Sequence, residues 1–187
     1  IAAVVTGGRI VKIELFMDEG GLCHIAGGNR FFVLSAGYLG SLLWGGAILV
    51  AASRTHYDRE ITLALGALVG YVTLVFVRPI FGFGFVFGLV SAALLSACGW
   101  TQPERVNDLL LRTVGLTSCL YAVFDIKSDI LDRPHLTSDA VMLAKHTGLP
   151  AILWGLIWIV VAVVCTAEFF KFSCMAPGSS LRDLLAR

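Results

Sequence analysis

Five long stretches of apolar residues constrain the fold of this sequence more than any other feature. Each is close to the ~20 predominantly apolar residues that a helix needs to cross a bilayer. The stretches lie at 32–53, 61–77, 80–98, 108–126 and 151–170. This pattern predicts an all-α polytopic membrane protein with about five transmembrane helices, built as a single membrane domain over residues 1–187.

The overall composition supports a membrane location. The mean hydropathy is +0.84, and only 14% of residues are charged, against about 25% in a typical soluble domain. So much apolar material would not fit inside a soluble core of this size, so we expect it to face lipid. The formal net charge of +1 gives no electrostatic footprint for nucleic acid. Lys and Arg divide almost evenly between the two faces, which leaves the membrane orientation and the organelle open.

Residues 9–28 differ from the rest of the chain and predict a β-hairpin. Arg9 to Leu15 alternates polar and apolar side chains, the period of a half-exposed strand. The run Asp18-Glu19-Gly20-Gly21 is a turn signal, and 22–26 reads as the returning strand. Because unpaired backbone groups are costly in lipid, we expect this hairpin to lie at the membrane interface or against other protein.

Two further segments outside the spans have recognisable patterns. Thr137-Ser138-Asp139 is typical of a helix N-terminus and Gly148-Leu149-Pro150 of a helix stop, which predicts a short surface helix between them. Residues 171–187 read as a polar tail. The first eight residues resemble the last turns of an apolar helix followed by a glycine stop. We therefore expect the sequence to be a fragment whose upstream residues are missing.

The end of the fourth span carries the strongest candidate for chemistry. Asp125, Asp129 and Asp132 are spaced so that all three share one face if the helix continues. Like charges at this spacing repel, and acids near a helix C-terminus meet the negative end of the helix dipole. An acid at the edge of a bilayer is therefore a functional candidate. The alternative is that the helix has already left the membrane and these acids are solvated.

Other catalytic and metal-binding patterns are absent from the sequence. The four histidines form no H-E-x-x-H pair, in which two imidazoles share one helix face. The five cysteines form no C-x-x-C pair, and no G-x-S-x-G is present. Neither a cysteine zinc site nor a serine hydrolase has support.

Several segments resemble site-two-protease-like intramembrane zinc metallopeptidases, and in particular the peptidase M50B-like branch. Residues 2–10 look like the segment that directly follows H-E-x-x-H in that family. The hairpin and the glycine-rich helix after it, from Asp18 to Ser41, are similar as well. Further resemblance lies in 121–129, Ser138-Asp139-Ala140 and 154–158. The similarity covers nearly the whole chain in order.

The resemblance implies a catalytic zinc site. In that family two histidines of H-E-x-x-H and one aspartate from a later helix hold zinc, and the glutamate activates water. Carried over to this sequence, the aspartate falls on Asp125, with Asp129 as the alternative. The histidines and the glutamate would lie before Ile1, so we expect no catalytic residue in this chain and no peptide hydrolysis by it alone.

The resemblance also implies partners. The full-length parent would lie in a lipid bilayer and cleave transmembrane protein substrates within it. Two non-enzymatic alternatives stay open: a degenerate relative of the family, and a small multi-pass transporter or scaffold whose acids line a polar cavity.

Overall fold

The computed structural model describes residues 1–17, 20–129 and 138–174. In these residues the chain forms two strands and seven helices. Their order is α1 (Ala2–Val5), β1 (Arg9–Leu15), β2 (Gly21–Ala26), α2 (Arg30–Arg54), α3 (Asp58–Phe76), α4 (Phe83–Thr101), α5 (Glu104–Lys127), α6 (Asp139–Thr147) and α7 (Ala151–Cys174). Five of the helices, α2 to α5 and α7, are long and apolar enough to cross a membrane. The predicted helical membrane fold with a small hairpin is confirmed.

Most long helices extend beyond the predicted apolar stretches because polar residues form their terminal turns. Helix α2 begins at Arg30, and the Asn29 side chain before it accepts a hydrogen bond from the Phe31 N–H at 3.0 Å. This is an ordinary N-cap, which satisfies one of the unpaired donors of the first turn. Helix α5 begins at Glu104, four residues before the predicted stretch.

Helix α4 begins later than its apolar stretch predicts. The Gly82 N–H donates to the Pro79 carbonyl at 3.0 Å, so residues 79–82 form a turn and the helix starts only at Phe83. Proline has no N–H for a helix hydrogen bond, and glycine is common at the last position of a β-turn. Hydropathy alone does not contain this information, because Ile80 and Phe81 are as apolar as the helix itself.

Helices α2 and α5 cross with their backbones in close contact. A Cβ atom added at Gly45 would lie 2.8 Å from the Gly115 carbonyl oxygen, and one added at Gly115 would lie 2.8 Å from the Gly45 oxygen. The Ser118 hydroxyl next to this crossing donates to the Ser41 carbonyl at 2.9 Å. Small residues let the backbones meet, as is common between membrane helices.

Apolar side chains fill the space between α2, α5, α6 and α7. The buried core here consists of Leu34, Tyr38, Leu42, Cys119, Ala122, Ile126, Ala140, Leu143, Trp158 and Ala162. Outside this core, the long helices leave large apolar side chains exposed, such as Leu74, Leu94 and Val160. Exposed apolar surface on all the long helices is what a lipid environment requires.

The hairpin lies against the bundle. Strands β1 and β2 are antiparallel, and Ile13 of β1 also makes a parallel bridge to Val77. The Arg78 N–H donates to the Ile13 carbonyl at 2.8 Å, and Leu15 packs directly on the backbone of Gly84. The predicted hairpin is therefore present, and one of its edges is covered by protein.

The predicted short helix between the last two spans is also present. The Ser138 side chain accepts from the Val141 N–H at 3.4 Å and caps the start of α6. Gly148 ends the helix with a φ of +78°, a conformation that glycine adopts without steric cost. Helix α6 then contacts the start of α7, where the Trp154 indole donates to Thr147 Oγ1 at 3.0 Å.

The two ends of the bundle carry different structures. The hairpin end comprises α1, β1, β2, α6 and the helix termini beside them. The loop end comprises residues 54–58 and 99–104 and the last turn of α7, where Ser53 contacts Ser173 and Asp58 contacts Glu104. The names hairpin end and loop end are used below in this sense.

Candidate functional site

A cavity of about 910 Å³ opens at the hairpin end. Its walls come from β2, the glycines after it, the first turns of α2, the end of α5 and the start of α6. These elements come from two segments of the chain, 20–38 and 121–142, which meet here because α2 and α5 run antiparallel. The cavity therefore combines a strand edge, a membrane helix pair and a surface helix around one space.

Three carboxylates line this cavity. Asp125 and Asp129, both predicted from the sequence, lie there together with Asp139 from the first turn of α6. All three side chains are half-buried. Asp132, the third acid of the predicted series, lies outside the described residues.

Asp129 is held by a tyrosine from another helix. The Tyr38 hydroxyl of α2 donates to Asp129 Oδ2 at 2.6 Å. Tyr38 is only 3% exposed, and its ring packs on Trp158 of α7 with centroids 5.1 Å apart. This short contact joins α2 to the end of α5 at one wall of the cavity.

Asp139 has an unusual electrostatic environment. Burial, together with the negative charges of Asp129 and Asp125, raises the pKa of Asp139 from 3.8 to about 6. The side chain also lies against the backbone of Gly37, where an added Cβ atom would overlap its carboxylate. A first-turn position on a helix normally favours a carboxylate, so the raised pKa reflects the other acids and the burial.

None of the described histidines lines the cavity. His24 Nε2 contacts Glu14 Oε2 at 2.7 Å within the hairpin, and hydrogen bonds from Lys12 and His24 lower the pKa of Glu14. His24 is not among the residues that line the cavity, although its strand neighbours Cys23 and Ile25 are. Across the residues that the structure describes, no three His, Cys, Asp or Glu side chains are grouped so as to hold a metal ion.

The start of the chain lies beside the cavity. The Gly28 Cα position is close to the Ala3 carbonyl of α1, which an added Cβ atom would approach to 3.2 Å. The Asn29 N–H donates to Thr6 Oγ1 at 3.0 Å and ties α1 to the start of α2. Burial raises the pKa of the Cys23 thiol, the Ile1 amino group lowers it, and Asp139 raises it. Cys23 therefore lies near enough to both Ile1 and Asp139 for their charges to affect its pKa.

Two residues of this site were not predicted from the sequence. Asp139 was interpreted as part of a helix N-terminus, which is correct but incomplete. Tyr38 lies in the first apolar stretch, whose length predicts a membrane span but gives no single side chain a role. A single hydroxyl-bearing ring in a span without charges was the available signal, since a buried tyrosine hydroxyl usually needs a partner.

Comparison with known protein families gives a match over most of the chain. Residues 1–169 match the peptidase M50B-like family, whereas no curated protein and no solved structure gives a significant match. The matched region includes every element of the cavity. The chain therefore belongs to the peptidase M50B-like family and is a multi-pass integral membrane protein of a kind related to membrane metallopeptidases.

Proposed function

We propose that the cavity at the hairpin end is part of the zinc site of an intramembrane metallopeptidase that cleaves membrane-embedded substrate helices. The observation that carries this proposal is the meeting of Asp125, Asp129 and Asp139 around one cavity. Gathering acids at the C-terminal end of α5 is unfavourable for folding alone. A divalent cation bound between the acids would make their close approach favourable.

The donors available in this chain fit one part of such a site. Catalytic zinc sites use three protein ligands, often two histidines and a carboxylate, and leave one position open. The cavity offers carboxylates. We propose that the two histidines and the glutamate of H-E-x-x-H belong to a segment that precedes Ile1. The position of α1 supports this. Helix α1, into which such a segment would continue, lies beside Gly28 and Cys23, and both of these residues line the cavity.

A different observation supports each of the three acids as the proposed zinc ligand. Asp125 belongs to α5 itself and is the first choice, with Asp129 as the alternative that the Tyr38 hydroxyl already orients. Asp139 adds a third carboxylate close enough for its pKa to respond to both. Bound zinc would supply Lewis-acid activation of water and of a peptide carbonyl. The chain from Ile1 onward is proposed to be inactive alone.

The hairpin would bind the substrate. The β1 edge of the sheet is covered, through the Ile13 bridge to Val77. The β2 strand instead lines the cavity, through Leu22, Cys23 and Ile25. An unwound substrate segment added along β2 would gain main-chain hydrogen bonds and lie next to the acids. Peptide bonds in a helix are protected, so such unwinding is a requirement for cleavage.

The proposal is tested on a protein that includes the segment before Ile1. Zinc content by mass spectrometry and cleavage of a transmembrane reporter would be measured for Asp125→Asn, Asp129→Asn and Asp139→Asn. Asp108→Asn at the loop end is the matched control, since it is the same change in the same helix as Asp125. We expect zinc in the parent and in the control, with a loss of zinc and of cleavage for the ligand variant.

A parent that binds no zinc, or three cavity variants that all behave like Asp108→Asn, would contradict the zinc site. An upstream sequence without H-E-x-x-H would end the peptidase proposal before any experiment. Intact motifs without bound metal in the purified protein would instead identify a degenerate relative.

A further inference from the structure

We propose that Asp58 and Asn107 form a proton-binding site at the loop end. Asp58 is held there as a neutral carboxylic acid, and the proton on its Oδ1 is donated in a hydrogen bond to Asn107 Oδ1. The site lies between the first turns of α3 and α5. Neither residue lines the cavity at the hairpin end, so this proposal does not depend on the zinc site.

Two side-chain oxygens in this region are buried and lack a hydrogen-bond donor. Asp58 is 4% exposed and Asn107 is 0% exposed. Oδ1 of Asp58 and Oδ1 of Asn107 are both buried without a hydrogen-bond partner among the described residues. Buried polar atoms in proteins nearly always have a partner, because an unpaired atom that has lost its water costs free energy. A proton bound to one oxygen and donated to the other would satisfy both.

The orientation of the Asn107 amide is fixed by its nitrogen. Nδ2 donates to the carbonyl oxygens of Gln102 and Pro103, each at 3.2 Å. Exchanging the amide oxygen and nitrogen would place Oδ1 against two carbonyl oxygens, which are also acceptors. Oδ1 therefore needs a donor from outside the turn that Nδ2 already binds.

The Asp58 side chain belongs to the same contact between α3 and α5. The Asp58 N–H donates to Glu104 Oε1 at 2.7 Å. Glu104 precedes Asn107 by three residues, which places both on one face of α5. The charges of Glu104 and Asp108 also act on the Asp58 carboxyl group. The first turns of α5 thus present the acceptor of Asn107 beside an acid that needs a donor.

The surroundings of Asp58 favour its neutral form. Burial, followed by the negative charges of Asp108 and Glu104, raises the pKa of Asp58 above its ordinary value of 3.8. Arg112 and His56 act in the opposite direction. The dipole of α3 favours an ionised acid in the first turn, but it supplies no donor to Oδ1. On folding, one proton passes from water to Oδ1, and the buried group then carries no charge.

This proton links the stability of the α3–α5 contact to pH. Because the folded-state pKa is raised, the contribution of Asp58 is largest at low pH and is lost as the pH rises through the folded-state value. Asp58→Asn keeps an uncharged side chain with an N–H donor, so this variant should retain the contribution at every pH. Asp58→Leu is similar in size but has no donor.

The test uses a protein that includes the segment before Ile1 and carries Asp139→Asn, so that the acid at the hairpin end does not contribute. Infrared spectra and thermal unfolding in detergent would be recorded against pH for this protein and for the added changes Asp58→Asn, Asp58→Leu and Glu60→Gln. The difference spectrum between the Asp139→Asn protein and its Asp58→Asn variant isolates the carboxyl band of Asp58. Glu60→Gln is the matched control, since Glu60 is exposed in the same first turn of α3.

We expect the band of a protonated carboxyl group to persist above pH 3.8, the ordinary value. Asp58→Asn should remove this band, and Glu60→Gln should keep it. The melting temperature of Asp58→Asn should match that of the Asp139→Asn protein at low pH and exceed it by a margin that grows as the pH rises. Asp58→Leu should melt below Asp58→Asn at every pH.

Three results would overturn the proposal. A band that is lost at or below pH 3.8, or an Asp58→Asn variant that melts lower at neutral pH, would show an ionised acid. Equal melting temperatures for Asp58→Asn and Asp58→Leu would reject the hydrogen bond to Asn107. Stabilisation by added Na⁺ or Ca²⁺ that Asp58→Asn abolishes would show that a metal cation, and not a proton, occupies the contact.

Discussion

The two ends of the bundle both collect acids, but in opposite electrostatic settings. At the loop end, Glu104 Oε1 accepts a hydrogen bond from the Asp58 N–H at 2.7 Å, and Asp108 pairs with Arg112 at 2.5 Å. These acids lie at helix N-termini, where the dipole favours negative charge by about 0.3–1 kcal/mol. At the hairpin end, Asp125 and Asp129 lie at or beyond the C-terminal turns of α5, where the same dipole opposes them.

This comparison separates acids that stabilise the folded chain from acids that are held in it at a cost in free energy. Glu104 caps α3 and Asp108 pairs with Arg112, so removal of either should cost stability. Asp58 is the exception at this end, because its side-chain Oδ1 is buried without a hydrogen-bond partner among the described residues. At the hairpin end, burial and then the charges of Asp129 and Asp125 raise the pKa of Asp139, which means that ionised Asp139 is held at a cost in the folded chain. Sites that retain unfavourable charge are frequently functional, and this contrast is the physical basis for assigning the zinc site to the hairpin end.

The largest effect is expected where α2 and α5 cross, because this contact holds both ends in place. Gly45→Ala would put a methyl group 2.8 Å from the Gly115 carbonyl oxygen, which forces the backbones apart. We expect a loss of about 3 kcal/mol of stability, at the upper end for overpacking. Gly40→Ala is the control in the same helix, since an added Cβ atom there meets nothing within 4 Å. Thermal unfolding in detergent would measure both; equal melting temperatures would show that the crossing does not determine the fold.

The next effect concerns pH at the hairpin end. Because the folded-state pKa of Asp139, about 6, exceeds its ordinary value of 3.8, the folded metal-free protein binds this proton more tightly than the unfolded chain. The contribution of Asp139 to stability should therefore be largest below about pH 4 and fall by about 2 kcal/mol as the pH rises to about 6. Asp139→Asn should remove this fall. Chemical unfolding in the presence of a chelator would measure it, and parallel curves for the two proteins would contradict the assignment.

A smaller effect is expected at the loop end, where the loss of an acid should lower the free energy of unfolding. Glu104→Ala removes the acceptor from the first turn of α3 and should cost about 1 kcal/mol, as for other lost caps. Glu168→Ala on α7 is the control, since Glu168 contacts only an exposed lysine, Lys171, among its described partners. Zinc binding should be the same in both variants. A change in zinc affinity for Glu104→Ala would break the separation between the two ends.

The smallest effect belongs to the ion pair of α5. Arg112→Gln removes a partner of Asp108 in a pair whose side chains are 41% and 33% exposed. Pairs of this kind contribute about 0.5 kcal/mol. The difference from wild type should shrink at high salt, because salt screens exposed charges. A loss that high salt leaves unchanged would indicate a packing role for the arginine stem instead.

Local patterns predicted much of the fold. The length of the apolar stretches predicted the five spans, and the alternation of polar and apolar side chains predicted the hairpin. Serine before α6 and glycine after it gave the short helix, because caps are local chemistry. The spacing of Asp125 and Asp129 also gave their shared face. The start of α4 was placed too early, since a turn made by Pro79 and Gly82 interrupts an apolar run without changing its hydropathy.

The remaining parts of the site depend on contacts between distant residues. The hydrogen bond from Tyr38 to Asp129 joins residues 91 positions apart, and no pattern within one segment encodes it. Asp139 reaches the same cavity only because α6 folds back over α2 beside Gly37. The predicted turn at Asp18-Glu19, the acid Asp132 and the tail beyond Cys174 lie outside the described residues.

The most direct test of the central claim is the location of the bound metal. In a protein that includes the segment before Ile1, Cu²⁺ would replace zinc. One nitroxide label would be attached either at Ile152→Cys or at the native Cys174, with the other cysteines replaced by alanine. These two positions mark opposite ends of α7, about 33 Å apart at ~1.5 Å per residue. The account predicts that the Cu²⁺–label distance measured by pulsed dipolar spectroscopy is shorter from residue 152 by about 20 Å or more. A metal closer to Cys174, or equally distant from both labels, would contradict it.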